Sequence, residues 1–158
     1  MKKKIAFLGA ILSLIPLGKP VLIKTVVGLS SSVLIPSSAE RVNAETADFY
    51  FMRGVKKYEA KDYAGCISEL NEAIAIKSLD AIYYLYRGNC KYFAEDYYGA
   101  ISDITQSIDL GGQFLPEAYG SRGISKVKIG DLKGACSDWR KAYSLGDEEI
   151  AKFVKNRC

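Results

Sequence analysis

Few side chains in this chain could do covalent chemistry, and those that could are thiols. Its 158 residues contain four cysteines, Cys66, Cys90, Cys136 and Cys158, and no histidine. Without an imidazole there is no Ser-His-Asp or Cys-His system and no His-ligated metal, and no two cysteines form the CxxC pair of zinc sites and dithiol oxidoreductases. The expectation is a non-enzymatic chain with no metal and no cofactor. Charged side chains offer a second pattern: Arg53, Arg87 and Arg122 recur in step with the acids Glu69, Asp103 and Asp138. That pattern suits either internal ion pairs or an arginine ladder for an acidic ligand, and the matching acid in each copy favours internal pairs.

These charges recur because the chain itself recurs. Laid on itself at a period near 34, the sequence brings 47–80, 81–115 and 116–149 into register, the middle copy being one residue longer. The coincidences include Gly54, Gly88 and Gly123; Lys57, Lys91 and Lys126; Asp62, Asp96 and Asp131; Gly65, Gly99 and Gly134; and Ser68, Ser102 and Ser137. Apolar positions follow the same rhythm, with Tyr50, Tyr84 and Tyr119 early in each copy and Leu70, Ile104 and Trp139 late. Apolar spacing on both sides of the central Asp is helical. Each Asp then reads as the N-cap of a second helix, worth about 1 kcal/mol. A glycine inside a helix costs about 1 kcal/mol relative to alanine, so Gly54, Gly88 and Gly123 imply close packing there.

On these residues the chain resembles a tetratricopeptide repeat (TPR) protein of the small exported bacterial or cyanobacterial type, over about 47–149. The resemblance implies an all-α solenoid of three helical hairpins. In the family's packing pattern, Tyr50, Gly54, Cys66, Leu70 and Ala73 lock the first hairpin. Tyr84, Gly88, Ala100, Ile104 and Ser107 do so in the second, and Tyr119, Gly123, Ala135, Trp139 and Ala142 in the third. The sequence departs from the family where Cys66 replaces an alanine and where Ser78, Gly112 and Asp147 stand at or near the closing proline. Past the third copy, Gly146-Asp147-Glu148-Glu149 suggests a new helix capped by Asp147, and 148–157 would cover the last hairpin.

Residues equally far from the turn of a helical hairpin lie side by side. Cys136 and Cys158 straddle a turn near 147, and Cys66 and Cys90 one near 78, so both pairs are disulfide candidates. Cys66 also suits a buried thiol at the small-residue packing site.

The resemblance further implies a concave groove lined by the first helices, which receives a protein or peptide partner. By matching position its lining would be Phe51, Val55, Tyr58 and Glu59, then Leu85, Asn89, Tyr92 and Phe93, then Gly120, Ile124, Val127 and Lys128. Aromatic anchors of this kind make interface hot spots, although several of the tyrosines could instead pack in the core. Family members that clamp a chaperone's terminal carboxylate use Lys, Asn and basic residues at positions where this chain has Phe51, Val55, Asn89, Glu117 and Ser121. Only Asn89 fits, so carboxylate recognition by that route is not expected.

The chain's net charge is +4, but residues 1–44 hold six basic residues and one acid, which leaves 45–158 at −1. A nearly neutral body has no electrostatic footprint for nucleic acid. The N-region instead carries Met1-Lys2-Lys3-Lys4, an uncharged run over 5–18 and a second apolar run over 21–36 broken by Lys24. The first run is short of the ~20 residues that span a bilayer. Small residues at Ser37-x-Ala39 and Val42-x-Ala44 offer signal-peptidase sites, and cleavage after Ala44 is the favoured expectation. The alternative is an uncleaved membrane anchor built from residues 5–36, with Lys24 snorkelling to the interface. The expected location is outside the cytoplasm: periplasm, thylakoid lumen or extracellular space. The expected task is binding a protein partner during assembly or maintenance of an envelope or membrane complex, or, with the N-region retained, scaffolding neighbours at a membrane.

Overall fold

A computed structural model describes residues 37–158. The two apolar runs of the N-region lie outside the described residues. Seven helices follow: α1 (Ser38–Glu59), α2 (Tyr63–Ile76), α3 (Ala81–Phe93), α4 (Tyr97–Leu110), α5 (Leu115–Lys128), α6 (Leu132–Ser144) and α7 (Ala151–Arg157). The first six form three hairpins, α1/α2, α3/α4 and α5/α6, stacked in chain order, and α7 packs on α6. No described helix is long and apolar enough to cross a membrane.

Each hairpin turn is built the same way. Its third-from-last residue of helix closes on the following aspartate: Asp62, Asp96 and Asp131 donate their N–H groups to the carbonyls of Lys57, Lys91 and Lys126 at 2.8, 2.9 and 2.9 Å. This closure forces the residue before each Asp into the left-handed region, at φ 60° for Lys61, 65° for Glu95 and 83° for Gly130. The Asp carboxylates then accept from the N–H groups of Gly65, Gly99 and Gly134 at 2.9, 2.9 and 2.8 Å, as N-caps of α2, α4 and α6. A Cβ on any of these glycines would collide with the capping carboxylate, which explains a glycine triplet three residues after the aspartates.

Gly54, Gly88 and Gly123 carry the packing inferred from the sequence. A Cβ at Gly88 would meet Ile104 at 2.6 Å and one at Gly54 would meet Leu70 at 3.0 Å, while Gly123 lies under the Trp139 indole. Leu70, Ile104 and Trp139 are in turn buried at 0–1% exposure, one at the centre of each hairpin. The core continues across the joints. Tyr83 and Cys90 of the second hairpin join Ala47, Leu70 and Ala73 of the first, and Ala118 joins Leu85 and Ile104. At the end, Ile150 and Val154 close over Ala135, Trp139 and Ala142.

Both cysteine pairs are joined, Cys66 to Cys90 and Cys136 to Cys158, with Cα separations of 6.3 and 5.5 Å. The first ties α2 to α3 and the second ties α6 to the C-terminal end of α7. The capping helix is shorter than expected. It begins at Ala151, not 148, and Asp147 is not its N-cap residue: residues 148–150 make a turn in which the Asp147 carboxylate accepts from the Ile150 N–H at 3.3 Å. Burying Ile150 against the third hairpin favours that turn over three further helical residues. At the other end, α1 starts at Ser38 under a reciprocal capping box, Ser37 and Glu40 exchanging bonds of 2.6 and 3.2 Å. The expected cleavage point after Ala44 therefore falls within α1.

Candidate functional site: a groove along the first helices

The repeated charges are consumed inside the fold. Arg87 makes a two-pronged bond to Asp103 at 2.8 and 2.7 Å, and Arg122 does the same to Asp138 at 2.9 and 2.7 Å. The lysine triplet joins them, because Lys91 and Lys126 reach the same aspartates at 2.8 Å. Asp103 and Asp138 are thus buried between two cations each. The first copy departs: Arg53 pairs with Glu69 at 2.6 Å in a half-exposed contact, and Lys57 turns to Asp62. The third guanidinium nitrogen of Arg87 reaches back to Asn71 of α2, and that of Arg122 to Thr105 of α4, so the ladder stitches neighbouring hairpins together. Little of it is left to receive an acidic ligand.

Other first-helix residues line two clefts that share Tyr92 and Ile124 and so form one groove. The first, about 260 Å³, is bounded by Tyr58 of α1, Asn89, Tyr92 and Phe93 of α3, and Glu117, Ser121 and Ile124 of α5. The second, about 310 Å³, is bounded by Tyr92, Ile124, Val127 and Lys128 together with Trp139, Phe153 and Arg157. The rings are mutually supported. Phe93 stacks on Tyr63 with centroids 5.1 Å apart and meets Tyr58 and Tyr92 edge-on at 5.7 and 5.2 Å. Phe93 nevertheless remains 46% exposed. The Lys128 ammonium stands 5.9 Å from the Tyr92 centroid and 5.7 Å from that of Tyr97.

Of the residues expected in the groove, Tyr58, Asn89, Tyr92, Phe93, Ile124, Val127 and Lys128 line it. Val55, one turn before Tyr58, is half-buried and borders neither cleft. Leu85 does not belong: it is fully buried between Ile104 and Ala118. Its counterparts explain why. Phe51 packs on Tyr83 and Tyr86 with centroids 5.2 Å away in both cases, and the buried Gly120 accepts from the Trp139 indole N–H at 3.3 Å. The position of 51, 85 and 120 faces the next element in the stack, so the joint covers it.

The lining expected from the repeat omitted Glu117, Ser121, Phe153 and Arg157, although Glu117 and Ser121 were placed at positions matching the family's carboxylate clamp. Glu117 and Ser121 stand seven and three residues before Ile124, on the same helical face, and that spacing could have revealed them. Phe153 and Arg157 lie beyond the last repeat, where no matching position exists to point at them. The field in the groove is acidic on the Glu117 side. Partial loss of hydration first, and Asp147 second, push the Glu117 carboxyl above the usual glutamate range, although the residue as a whole is exposed. Burial first, then Tyr63 and Tyr86, and lastly Glu117, raise the Tyr58 phenol. Among the described residues no group of three or more His, Cys, Asp or Glu side chains could hold a metal ion.

Neither a protein-family model nor a curated protein sequence matches the chain. Solved structures do. The TPR domain of Arabidopsis OM64 superposes with a TM-score of 0.69 at 24% identity, over 73% of this chain and 95% of that one. The fold is that of a TPR domain. The N-terminal domain of stress-induced protein-1 from C. elegans matches this TPR solenoid with a TM-score of 0.66 at 18% identity, over 72% and 94% of the two chains. The first TPR of Spaghetti (RPAP3), bound to the HSP90 peptide SRMEEVD, does so at 0.67 and 17%, over 71% and 90%. At these identities the likeness is one of architecture.

Proposed function

We propose that this TPR solenoid is a non-enzymatic protein-interaction module that takes a segment of a partner protein into the groove of α1, α3 and α5. The observation that carries this reading is the continuous run of clefts from Tyr58 to Phe153, in which Phe93 stays nearly half exposed beside half-buried Tyr92. Rings held by other rings lose little entropy on binding, which is what anchor residues need. The HSP90-bound Spaghetti domain shows that the architecture accommodates a peptide. That peptide is acidic, whereas this groove presents Glu117, so a different partner is expected here.

The module works outside the cytoplasm, in assembly or maintenance of an envelope or membrane complex. The basic start and apolar runs of the N-region support export, and two cysteine pairs support an oxidising compartment, where such bonds persist. If residues 5–36 are retained, the same groove serves a membrane-anchored scaffold.

Affinity capture from native membranes tests the reading, with the oxidised full chain as bait and mass spectrometry as readout. The double variant Tyr92→Ala with Phe93→Ala should lose the captured partner while helical circular dichroism stays near the parent's. The apolar-anchor part of binding, read with a partner segment free of charged side chains, should change less than about threefold between low and high salt. Equal capture by parent and variant would move the working surface elsewhere.

A further inference from the structure

The first cleft carries a charge that the fold leaves uncompensated. The acids of the repeated ladder, Glu69, Asp103 and Asp138, are each met by arginine. Glu117 forms no ion pair or side-chain hydrogen bond among the described residues, and the charged neighbour that acts on it, Asp147, is another acid. Lys128 borders the second cleft and not the first. The repeat makes this singular. The matching position of the first copy is Asp48, which accepts from the Tyr83 hydroxyl at 2.6 Å, and that of the second is Ile82. Only the third copy puts a carboxylate in the groove without employing it.

The walls around that carboxylate are aromatic. Tyr58, Tyr92 and Phe93 line the same cleft as Glu117, and ring faces attract cations. Tyr92 already does so on the side of the second cleft, where the Lys128 ammonium sits over it. At about 260 Å³ the cleft is smaller than the roughly 300–1,000 Å³ of sites for whole small ligands, and suits one long side chain. We propose that the first cleft is a subsite for one cationic side chain, lysine or arginine, of the bound partner segment, with Tyr58, Tyr92 and Phe93 contacting its stem and charge and the Glu117 carboxylate neutralising it. The proposal rests on the groove reading above and adds the chemistry of the occupant.

A phage-displayed library of random 12-residue peptides, panned against the oxidised full chain, supplies the probe. Binders that depend on Tyr92 and Phe93 should share a lysine or arginine. A synthetic peptide of the shared sequence should weaken about tenfold when lysine is replaced by norleucine or arginine by citrulline. Glu117→Gln should weaken the parent peptide by a similar factor and leave the neutral peptide unchanged, which a merely structural role of Glu117 would not produce. Groove-dependent binders without a shared basic residue, or basic binders indifferent to Glu117→Gln, overturn the cationic subsite and leave the groove reading standing. An acidic shared residue also overturns it and assigns recognition to Lys128 and Arg157. Binders all indifferent to the Tyr92 and Phe93 changes, or no binders at all, count against the groove itself and the subsite with it.

Discussion

Burial, more than residue type, separates the three copies of the arginine–acid pair. Asp103 is 6% exposed and is held by both Arg87 and Lys91, so Asp103→Ala strands two cations beside the core. Breaking a buried pair in this way costs about 3–5 kcal/mol. In the first copy Arg53 is 49% exposed and Lys57 is engaged elsewhere, so Glu69→Ala should cost under about 1 kcal/mol. Urea unfolding of the two variants checks the contrast. Glu117 should behave in the opposite sense. Its native pKa is raised, so ionisation works against the folded state, and that penalty develops as pH climbs from the unfolded value of about 4.3 through the raised native one. Glu117→Gln should therefore match or exceed the parent's melting temperature at pH 7, with any gain vanishing below about pH 4. A marked loss at pH 7 would mean that the carboxylate holds the fold together.

The capping helix depends on its covalent tie. With 7 residues, α7 is far too short to be helical alone, and it is held by Ile150, by the Trp139–Phe153 contact at 5.3 Å and by the Cys136–Cys158 bond. Cross-linking residues 22 apart in sequence stabilises by about 3 kcal/mol in the chain-entropy model. Cys158→Ser should lower stability by up to that amount and release 150–157 to rapid hydrogen exchange. Trp139 fluorescence should shift to the red, because α7 covers one side of the indole. The Cys66–Cys90 bond sits at the joint between the first two hairpins, where both sulfurs are buried at 0% exposure. It braces the stack without touching the groove, so its loss should reduce stability and spare binding.

Along the sequence the positive charge is concentrated in residues 1–44, and 45–158 carry a net −1. The core of the solenoid begins at Ala47, and residues 38–44 extend α1 ahead of it under the Ser37–Glu40 capping box. Removal of 1–44 would take away that box, worth about 1 kcal/mol, and the wall of a small cleft formed by Glu40, Asn43 and Ala44 with Ile76 and Lys77. Every buried residue of the three hairpins would remain. A chain starting at Glu45 should accordingly unfold within a few degrees of the full chain. Intact-mass measurement on protein from its native host shows which form exists: a mass beginning at Glu45 supports export with cleavage, and a full-length mass in the membrane fraction supports the anchored scaffold.

The repeat was legible in the residues because each copy must solve the same local problems. An aspartate caps each second helix, a glycine makes room for that carboxylate, and another lets a large side chain lie flat between helices; types and spacing alone carry these. A matching acid in each copy favoured internal Arg pairs over a ladder for a ligand, and equal distances from the turns made both cysteine pairs disulfide candidates, with a buried Cys66 thiol as the alternative; the tertiary structure decided between them. Leu85 and the short α7 could not be read this way. Whether a position faces the groove or the next element depends on how consecutive hairpins stack, so Phe51 and Leu85, matched to groove positions, ended in the joints. The start of α7 was settled by what Ile150 could bury, at odds with the capping signal at Asp147. Glu117 is a mixed case: its helical face was legible from its spacing to Ile124, but the rings beside it come from α1 and α3, residues 24 or more positions away, and only packing brings them to one cleft.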